Sequence, residues 1–196
     1  MFKKILVVAG LSMLSTIANA TPISNSVSGL ASPALTITFD EHLLPAGSSV
    51  TNEYSDLGVT FSPNLYYSSL PGFPNNVTNF GSGPNVFQFS LNFLTNQTDV
   101  AFAMVSRSSS WNFEALLGNL VVESFLATVD LSAFNFFGFT GIAFDEIRIT
   151  SSINDLMIID NLQLSKTNNV PEPTSIALLG LGLAGLGAAR QRVKSK

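Results

Sequence analysis

Acidic side chains near both ends of the central part of the chain are candidates for binding a cation. Asp40 and Glu41 follow one apolar alternating run, and Asp160 and Asn161 lie in another. If these runs are the first and last strands of one sheet, their carboxylates can meet, and calcium takes about six to eight oxygen ligands. The sequence therefore predicts a structural calcium ion at Asp40 and Asp160. Alternatively, Asp40 caps a turn and Asp160 accepts hydrogen bonds from a neighbouring loop.

Aromatic side chains in polar surroundings are candidates for contacting a sugar. Trp111 is the only tryptophan and lies between three serines and Asn112, while Tyr66 and Tyr67 form a pair in a loop-rich stretch. An aromatic face beside amides and hydroxyls suits a glycan, so all three are predicted glycan contacts. The alternative for Trp111 is burial, since tryptophan is highly buried on average.

Residues for catalysis are sparse. His42 is the only histidine, no Gly-x-Ser-x-Gly elbow surrounds a serine, and no cysteine is present. Carboxylate pairs for glycoside cleavage can be drawn from six acids, namely Glu53, Asp56, Glu114, Glu123, Asp145 and Glu146. With so many acids, some pair is inevitable, and such a pair is little evidence for catalysis. We therefore expect a protein that is not an enzyme and has no catalytic residues.

The elements that must position these residues are strands. Apolar residues alternate with polar ones at 35, 37 and 39 and at 87, 89, 91 and 93, which is typical of half-buried strands. Further strands are predicted at 58–61, 100–105, 116–123, 125–129, 142–150 and 156–164. Loops rich in Gly, Pro and Asn, such as the turn-rich stretch 71–76, separate them. We therefore expect an all-β sandwich of the jelly-roll type, with most of the 16 phenylalanines in its core.

The N-terminus has the three parts of a secretory signal peptide. Lys3 and Lys4 precede an apolar run, which ends in Ala18-Asn19-Ala20. We expect a signal helix over residues 1–20 and cleavage by signal peptidase after Ala20. A buried N-terminal helix is the alternative.

The C-terminus also has three parts. Pro171, Glu172 and Pro173 precede the uncharged residues 174–189, and four cations lie within 190–196. The 16 uncharged residues would span about 24 Å as a helix, slightly less than a hydrocarbon core of ~30 Å. They are predicted to form a transmembrane helix, whose basic tail stays in the cytoplasm.

Composition separates the ends from the middle. The chain of 196 residues is 46% hydrophobic and 11% charged, with a net charge of −4. Residues 21–170 contain twelve acids and three bases, so this part carries about −9. An acidic domain of this kind argues against nucleic acid as a partner.

The C-terminal arrangement resembles the PEP-CTERM sorting signal of exported bacterial proteins. The resemblance covers about 26 residues and rests on Pro171-Glu172-Pro173, the Gly/Leu/Ala-rich helix and the basic tail. It implies recognition by an exosortase-type membrane protease, transient anchoring in the inner membrane, and delivery to the cell surface or extracellular matrix. A plain C-terminal anchor that is left intact is the alternative.

Two stretches resemble the β-sandwich domains that often precede this signal. One is Ile37-Thr38-Phe39-Asp40 with the later unit from Asn52 to Phe61, and the other is 144–150 with 157–162, similar to the closing strands of galactose-binding-like and carbohydrate-binding-like jelly rolls. The resemblance implies fold more than function.

The predicted organisation has six parts: signal peptide 1–20, N-terminal linker 21–33, β-sandwich 34–165, linker with the Pro-Glu-Pro motif 166–173, transmembrane helix 174–189 and cytoplasmic tail 190–196. We expect a surface or matrix protein that contacts exopolysaccharide or adheres in a biofilm, without a cofactor other than the calcium ion. A secreted hydrolase of matrix polysaccharide and an inert acidic filler of the matrix are the alternatives.

Overall fold

The structure is a computed structural model, which describes residues 20–63, 65–70, 73–80, 87–107, 109–131, 135–151, 153 and 155–165. The compact unit that contains them ends at Ser165. Within these residues the chain forms a 3-10 helix, Ser55–Leu57, and the following strands: β1 (Thr21–Ser26), β2 (Leu35–Ile37), β3 (Ser49–Val50), β4 (Val59–Ser62), β5 (Leu65–Leu70), β6 (Phe73–Thr78), β7 (Gln88–Gln97), β8 (Val100–Ser106), β9 (Ser109–Leu117), β10 (Leu120–Val129), β11 (Asn135–Thr140), β12 (Phe144–Ser151) and β13 (Met157–Leu164).

Alternation along the sequence sets which face of each strand is buried. In β7, Phe89, Leu91 and Phe93 are buried, whereas Asn92 between them is partly exposed. Successive side chains of a strand point to opposite faces of a sheet. The predicted faces of this strand and of β2 are confirmed, except that Phe87 precedes β7 and is exposed.

The strands form two sheets that pack face to face. The larger sheet has eight strands in the order β1-β11-β8-β13-β6-β5-β3, with β2 also paired to β13. The smaller sheet has the order β10-β9-β12-β7-β4. The predicted β-sandwich is therefore confirmed, and its first predicted strand pairs with its last, because Ile37 lies opposite Leu162.

Stacked aromatic rings hold the two sheets together. Phe113 of β9 stacks on Phe125 of β10, its neighbour in the smaller sheet, at a centroid distance of 4.8 Å, and on Phe137 of β11 in the larger sheet at 5.1 Å. Phe139 packs edge to face on Phe125 and also against Phe144. Such ring pairs add about 0.5–1.5 kcal/mol each beyond the area that they bury. The aromatic core contributes stability of the kind that disulfides give to many exported domains.

The first residues after Ala20 belong to the sandwich and not to a linker. Strand β1 pairs with β11, with Thr21 opposite Thr140. The following segment crosses the larger sheet, where the backbone N–H of Leu30 donates to Gln163 Oε1 at 2.7 Å. The prediction of a linker over 21–33 is therefore wrong for residues 21–26, which form an edge strand.

One predicted strand is replaced by a hairpin. Residues 116–123 were expected to be a single strand, but Gly118 and Asn119 turn the chain between β9 and β10, with φ of 56° and 67°. Positive φ at both central residues is the type I′ geometry that suits a two-residue hairpin. Glycine and asparagine tolerate it best.

The two predicted ends of the precursor lie outside the described residues. This holds for the signal peptide 1–20 except Ala20, for the Pro-Glu-Pro linker, for the transmembrane helix 174–189 and for the tail 190–196. In the described part of the chain, no helix has the length and apolar character needed to cross a membrane.

Candidate functional site

A polar surface occupies part of the outer face of the smaller sheet, beside the exposed Leu126 of β10. Its side chains alternate with the buried residues of β4, β7, β12 and β9, and strand pairing brings them into rows across the sheet. One row runs from Ser62 through Ser90, Arg148 and Glu114 to Ser124. We call this surface the polar face, and it consists of Thr60, Ser62, Ser90, Asn92, Asn112, Glu114, Ser124, Glu146, Arg148 and Thr150.

Arg148 is the centre of a network on the polar face. Its Nη2 lies 3.1 Å from Glu146 Oε1, and its Nη1 lies 3.8 Å from Glu114 Oε2. The Ser90 hydroxyl donates to Glu146 Oε1 at 2.6 Å. The side chains of Arg148 and Glu114 remain 29% and 24% exposed, so the network is held in place yet open to solvent.

The polar face offers donors and acceptors that match the hydroxyl groups of a polysaccharide. Asn92 and Asn112 lie in the rows beside the network, and each amide can both donate and accept. The guanidinium supplies further donors in a fixed plane. Alternation in the sequence places each of these residues on the solvent side of a strand. The sequence alone does not show that β12 lies between β7 and β9, so this juxtaposition was not predicted.

A second group of polar residues surrounds the end of β2, and we call it the Asp40–Asp160 cluster. It consists of Asp40, Glu41, Tyr67, Asn75 and Asp160. The Asn75 amide donates to Asp40 Oδ1. Glu41 Oε1 accepts from the backbone N–H of Thr38 at 3.0 Å and from its hydroxyl at 3.1 Å, so this carboxylate is bound to its own loop.

Asp160 lies beside a break in the pairing of β13 with β8. The register shifts after Asp160, and Asn161 adopts a positive φ of 49° while its N–H donates to Asp160 Oδ1 at 2.6 Å. Burial is the main cause that raises the pKa of Asp160 to about 6. The hydrogen bond from Asn161 acts in the opposite direction, and the negative charges of Asp40 and Glu41 raise the pKa further.

The cluster brings together the two residues of the predicted calcium site. The charge of Asp40 acts on Asp160, as expected if the end of β2 lies beside β13. Within the described ranges, no three His, Cys, Asp or Glu side chains converge in a group able to hold a metal ion. A calcium ion here would therefore take most of its oxygens from the backbone or from water.

Tyr67 and Tyr66, two predicted glycan contacts, are buried. The Tyr67 hydroxyl donates to the Phe39 carbonyl oxygen at 3.2 Å, and Tyr54 donates to the same oxygen. Phe39 has a φ of 61°, unusual for a bulky residue, and the two hydroxyls fix its carbonyl in that conformation. Burial raises the pKa of both hydroxyls. Tyr66 is 7% exposed, so neither residue of the predicted pair displays a ring face for a sugar.

Trp111, the third predicted glycan contact, lies in the core. Its exposed fraction is 0%, and its indole N–H lies 2.8 Å from Ser109 Oγ and 3.1 Å from Ser106 Oγ. The ring also packs edge to face on Phe89. Of the three serines beside Trp111 in the sequence, Ser109 is a hydrogen-bond partner inside the fold. This burial leaves no indole face for stacking, which corrects the interpretation of Trp111 as a glycan contact.

The sole histidine pairs with a carboxylate at the surface. His42 Nε2 lies 3.0 Å from both oxygens of Asp56, and the two side chains are 37% and 61% exposed. Among the hydrogen bonds of the described residues, none joins a serine hydroxyl to His42. A hydrolytic triad requires such a hydroxyl.

The other acids considered for catalysis have local partners. Glu114 and Glu146 flank Arg148, and Asp145 accepts the N–H of Gly118 at 3.0 Å. Glu53 and Glu123 accept backbone N–H groups close to themselves in sequence.

Comparison with known families identifies one region of the chain. Residues 169–192 match the PEP-CTERM protein-sorting motif. The match includes the predicted Pro171-Glu172-Pro173 and lies in the part of the chain that the structure does not describe. No curated protein and no solved structure matches the chain. The chain thus carries a PEP-CTERM motif, which indicates an exported protein that is anchored transiently in the membrane and sorted to the cell surface by an exosortase.

Proposed function

We propose that the sandwich is the non-enzymatic cargo of this sorting route and contacts exopolysaccharide at the cell surface or in the matrix through its polar face. The observation that carries the proposal is the Arg148 network, because it presents fixed donors and acceptors while remaining open to solvent. Hydroxyl-rich ligands are bound by such groups, and hydrogen bonds to charged partners contribute about 1.5–3 kcal/mol.

This proposal relocates the predicted glycan contact. Stacking on Trp111, Tyr66 or Tyr67 loses its support, since all three side chains are buried. The polar face instead offers hydrogen bonds in a plane formed by five strands. Binding of this kind should be weak for one sugar and stronger for a polymer, because neighbouring sugars reach several rows at once.

Retention in gels that contain the exopolysaccharide tests the polar face. Arg148→Ala should weaken the affinity about tenfold, the effect of losing roughly 1.4 kcal/mol. Arg107→Ala is the matched control, because Arg107 is the other arginine of the described domain, is exposed, and lies outside the polar face. Asn112→Ala supplies a second variant that leaves the ion pairs intact. Thermal melting of each variant separates lost binding from lost folding.

Two results would overturn this proposal. One is retention of a folded Arg148→Ala variant equal to that of the wild type. The other is release of reducing sugar ends by the wild-type protein, if turnover disappears on a single carboxylate-to-amide change. That result would establish the competing hydrolase. A protein with neither retention nor turnover would be the inert matrix filler.

A calcium ion at Asp40 and Asp160 is a separate part of the proposal. Burial is the main cause of the raised pKa of Asp160, and the negative charge of Asp40 adds to it. A cation between the two carboxylates would offset this repulsion. Titration calorimetry and melting of the wild type and of Asp160→Asn should show a calcium-dependent increase in melting temperature in the wild type alone. Absence of both heat and a melting shift in the wild type would rule the site out.

A further inference from the structure

The hairpin between β9 and β10 exposes three consecutive apolar side chains. Leu120, Val121 and Val122 are 72%, 51% and 41% exposed. They follow directly after the turn residues Gly118 and Asn119, so they lie near the tip of the hairpin. A run of exposed apolar residues is compatible with a stable fold, but it promotes association with another apolar surface or phase.

A β-bulge explains why neighbours in the sequence are exposed together. The register of β10 against β9 shifts between Val121 and Glu123, so Val122 has no partner across the ladder. Bulges disrupt pairing and twist an edge strand away from its sheet. The alternation of inward and outward side chains stops at this point, and the apolar residues form a patch at the tip.

Both ends of the sandwich chain lie at one end of the molecule, which we call the terminal pole. Thr21 begins the first strand, and its carbonyl oxygen accepts a hydrogen bond from the Thr140 hydroxyl at 3.0 Å. Ser165 ends the domain, and its N–H donates to the Asp99 carbonyl oxygen at 3.0 Å. The first strand of the larger sheet therefore begins at this pole, and its last strand ends there.

The apolar hairpin tip belongs to the same pole. The N–H of Gly118 donates to the Asp145 carboxylate, near the start of β12. β12 follows β11 through a short loop in which the N–H of Gly141 donates to Asp99 Oδ1 at 3.0 Å. The hairpin tip, the entry of the chain and its exit are thus linked through neighbouring loops.

The terminal pole is the part of the domain from which the membrane segments extend. Eight residues, 166–173, separate Ser165 from the segment predicted to lie in the membrane. Fully extended, they reach at most about 29 Å. Before cleavage after Ala20, the signal peptide also leaves the domain at Thr21. During transient anchoring, this short tether restricts how far the pole can move from the bilayer.

We propose that the hairpin tip, Leu120 to Val122, inserts into the lipid interface while the protein is anchored, and holds the terminal pole against the membrane until the sorting tail is cut. The proposal uses the membrane stage of sorting and is independent of glycan contact. A lipid surface is favoured over a second copy of the chain because the bulge interrupts the edge along which two β10 strands would pair.

The described charges at the terminal pole favour an apolar mode of binding. Asp99 and Asp145 lie there, while the arginine Arg107 follows the opposite end of β8 and Arg148 lies along β12. Anionic lipids attract basic groups and repel acidic ones. The insertion should therefore occur on neutral phosphatidylcholine and should not increase when anionic lipid is added or salt is lowered.

Site-specific fluorescence in the full chain tests the insertion. The sequence has no cysteine, so Leu120→Cys provides a single labelling site at the tip. Leu131→Cys is the matched control, because Leu131 is similarly exposed, at 56%, and follows the other end of β10. Each variant is labelled with a polarity-sensitive dye and reconstituted in phosphatidylcholine vesicles with and without lipids that carry a quencher in the acyl chains.

Insertion predicts a blue shift and loss of about half or more of the emission at position 120, as expected for a group ~5–10 Å inside the interface. The label at position 131 should remain unquenched. Equal quenching of the two labels, or no quenching of the label at position 120, would overturn the proposal. Shielding of the label at position 120 that depends on protein concentration would also overturn it, because it indicates contact with a second copy of the chain. Tail processing in cells by exosortase is measured in parallel. Loss of processing in the wild type refutes the sorting route, whereas intact processing with no quenching refutes the hairpin proposal alone.

Discussion

At the scale of single residues, we expect the buried indole of Trp111 to contribute to stability and not to ligand contact. Trp111→Phe removes the N–H that lies within hydrogen-bond distance of Ser106 and Ser109 and leaves a small cavity. The free energy of unfolding should fall by about 2 kcal/mol. Urea denaturation measures the change, and Leu126→Ala, at a 71% exposed position, should change stability by less than about 0.5 kcal/mol.

Polysaccharide retention provides the second readout for Trp111. The folded Trp111→Phe protein should be retained like the wild type. If retention is lost while stability is unchanged, Trp111 contacts the ligand in spite of its burial.

Asp160 should make stability depend on pH in a defined window. Its pKa is about 6 in the folded protein against 3.8 for a free side chain, so the folded state binds more protons than the unfolded state between these values. Stability from this residue is therefore greatest below about pH 4 and falls as the pH rises through 6. In calcium-free buffer, Asp160→Asn should be more stable than the wild type at pH 7 by about 1 kcal/mol, reduced for partial solvent screening.

The same comparison at about pH 2.5, below both pKa values, is the control for Asp160. There the carboxyl is mostly protonated in both states, and the two proteins should unfold at nearly the same urea concentration. An Asp160→Asn variant that is less stable at pH 7 would mean that the charged carboxylate is stabilising, contrary to this account.

Single residues were predictable where local sequence decides their environment. The meeting of Asp40 with Asp160 follows from pairing the first predicted strand with the last, and the larger sheet has this pairing. Trp111 was misinterpreted because serines beside it indicated solvent. The direction of a side chain depends on the strand's register in the sheet, which neighbouring residues do not specify.

At the scale of elements, two glycines have different roles in the sheets. Gly138 of β11 has a φ of 156°, and a Cβ atom there would lie 2.0 Å from the Val100 carbonyl oxygen on β8. Because the obstacle is backbone, Gly138→Ala should lower the free energy of unfolding by about 3 kcal/mol.

Gly118→Ala is the matched substitution in the hairpin. No atom would lie within 4 Å of the added Cβ, so only the left-handed backbone, with φ of 56°, opposes alanine. The cost should be about 1 kcal/mol. Equal stability losses for the two variants in urea would show that the close approach of β11 to β8 is not the constraint at Gly138.

Strands were predictable where alternation is long, and turns where their chemistry is distinctive. Alternation identified β7, and the further strands predicted at 100–105, 142–150 and 156–164 correspond to β8, β12 and β13. Residues 71–76 were interpreted as turn-rich because of their prolines and asparagines, yet β5 ends at Leu70 and β6 begins at Phe73. Pairing of β6 with β13 supplies stability that local propensity does not show.

At the scale of the whole molecule, the apolar core and the surface charge have separate roles in an exported protein. Of the 16 phenylalanines, 15 lie after the predicted signal peptide, and residues 21–170 carry an excess of acids. Aromatic packing stabilises the sandwich, and like charges at its surface oppose aggregation. Composition predicted this division, because it requires only the sequence and the positions of the two ends.

The polar face could not be predicted at this scale, since it depends on which strands become neighbours. Strand β12 pairs with β7 on one side and β9 on the other, although about 50 residues of chain separate β7 from β12. Many strand orders are compatible with one alternating sequence. The arrangement of Arg148 between Glu114 and Ser90 is therefore a property of topology.

The mass of the protein recovered from the cell surface or medium tests the central claim most directly. We predict a species that begins at Thr21 and has lost the membrane segment after the Pro-Glu-Pro residues 171–173. Deleting the exosortase gene should convert it to a membrane-bound species that retains all residues to Lys196. Recovery of an uncut chain from Met1 to Lys196 inside wild-type cells would contradict the account.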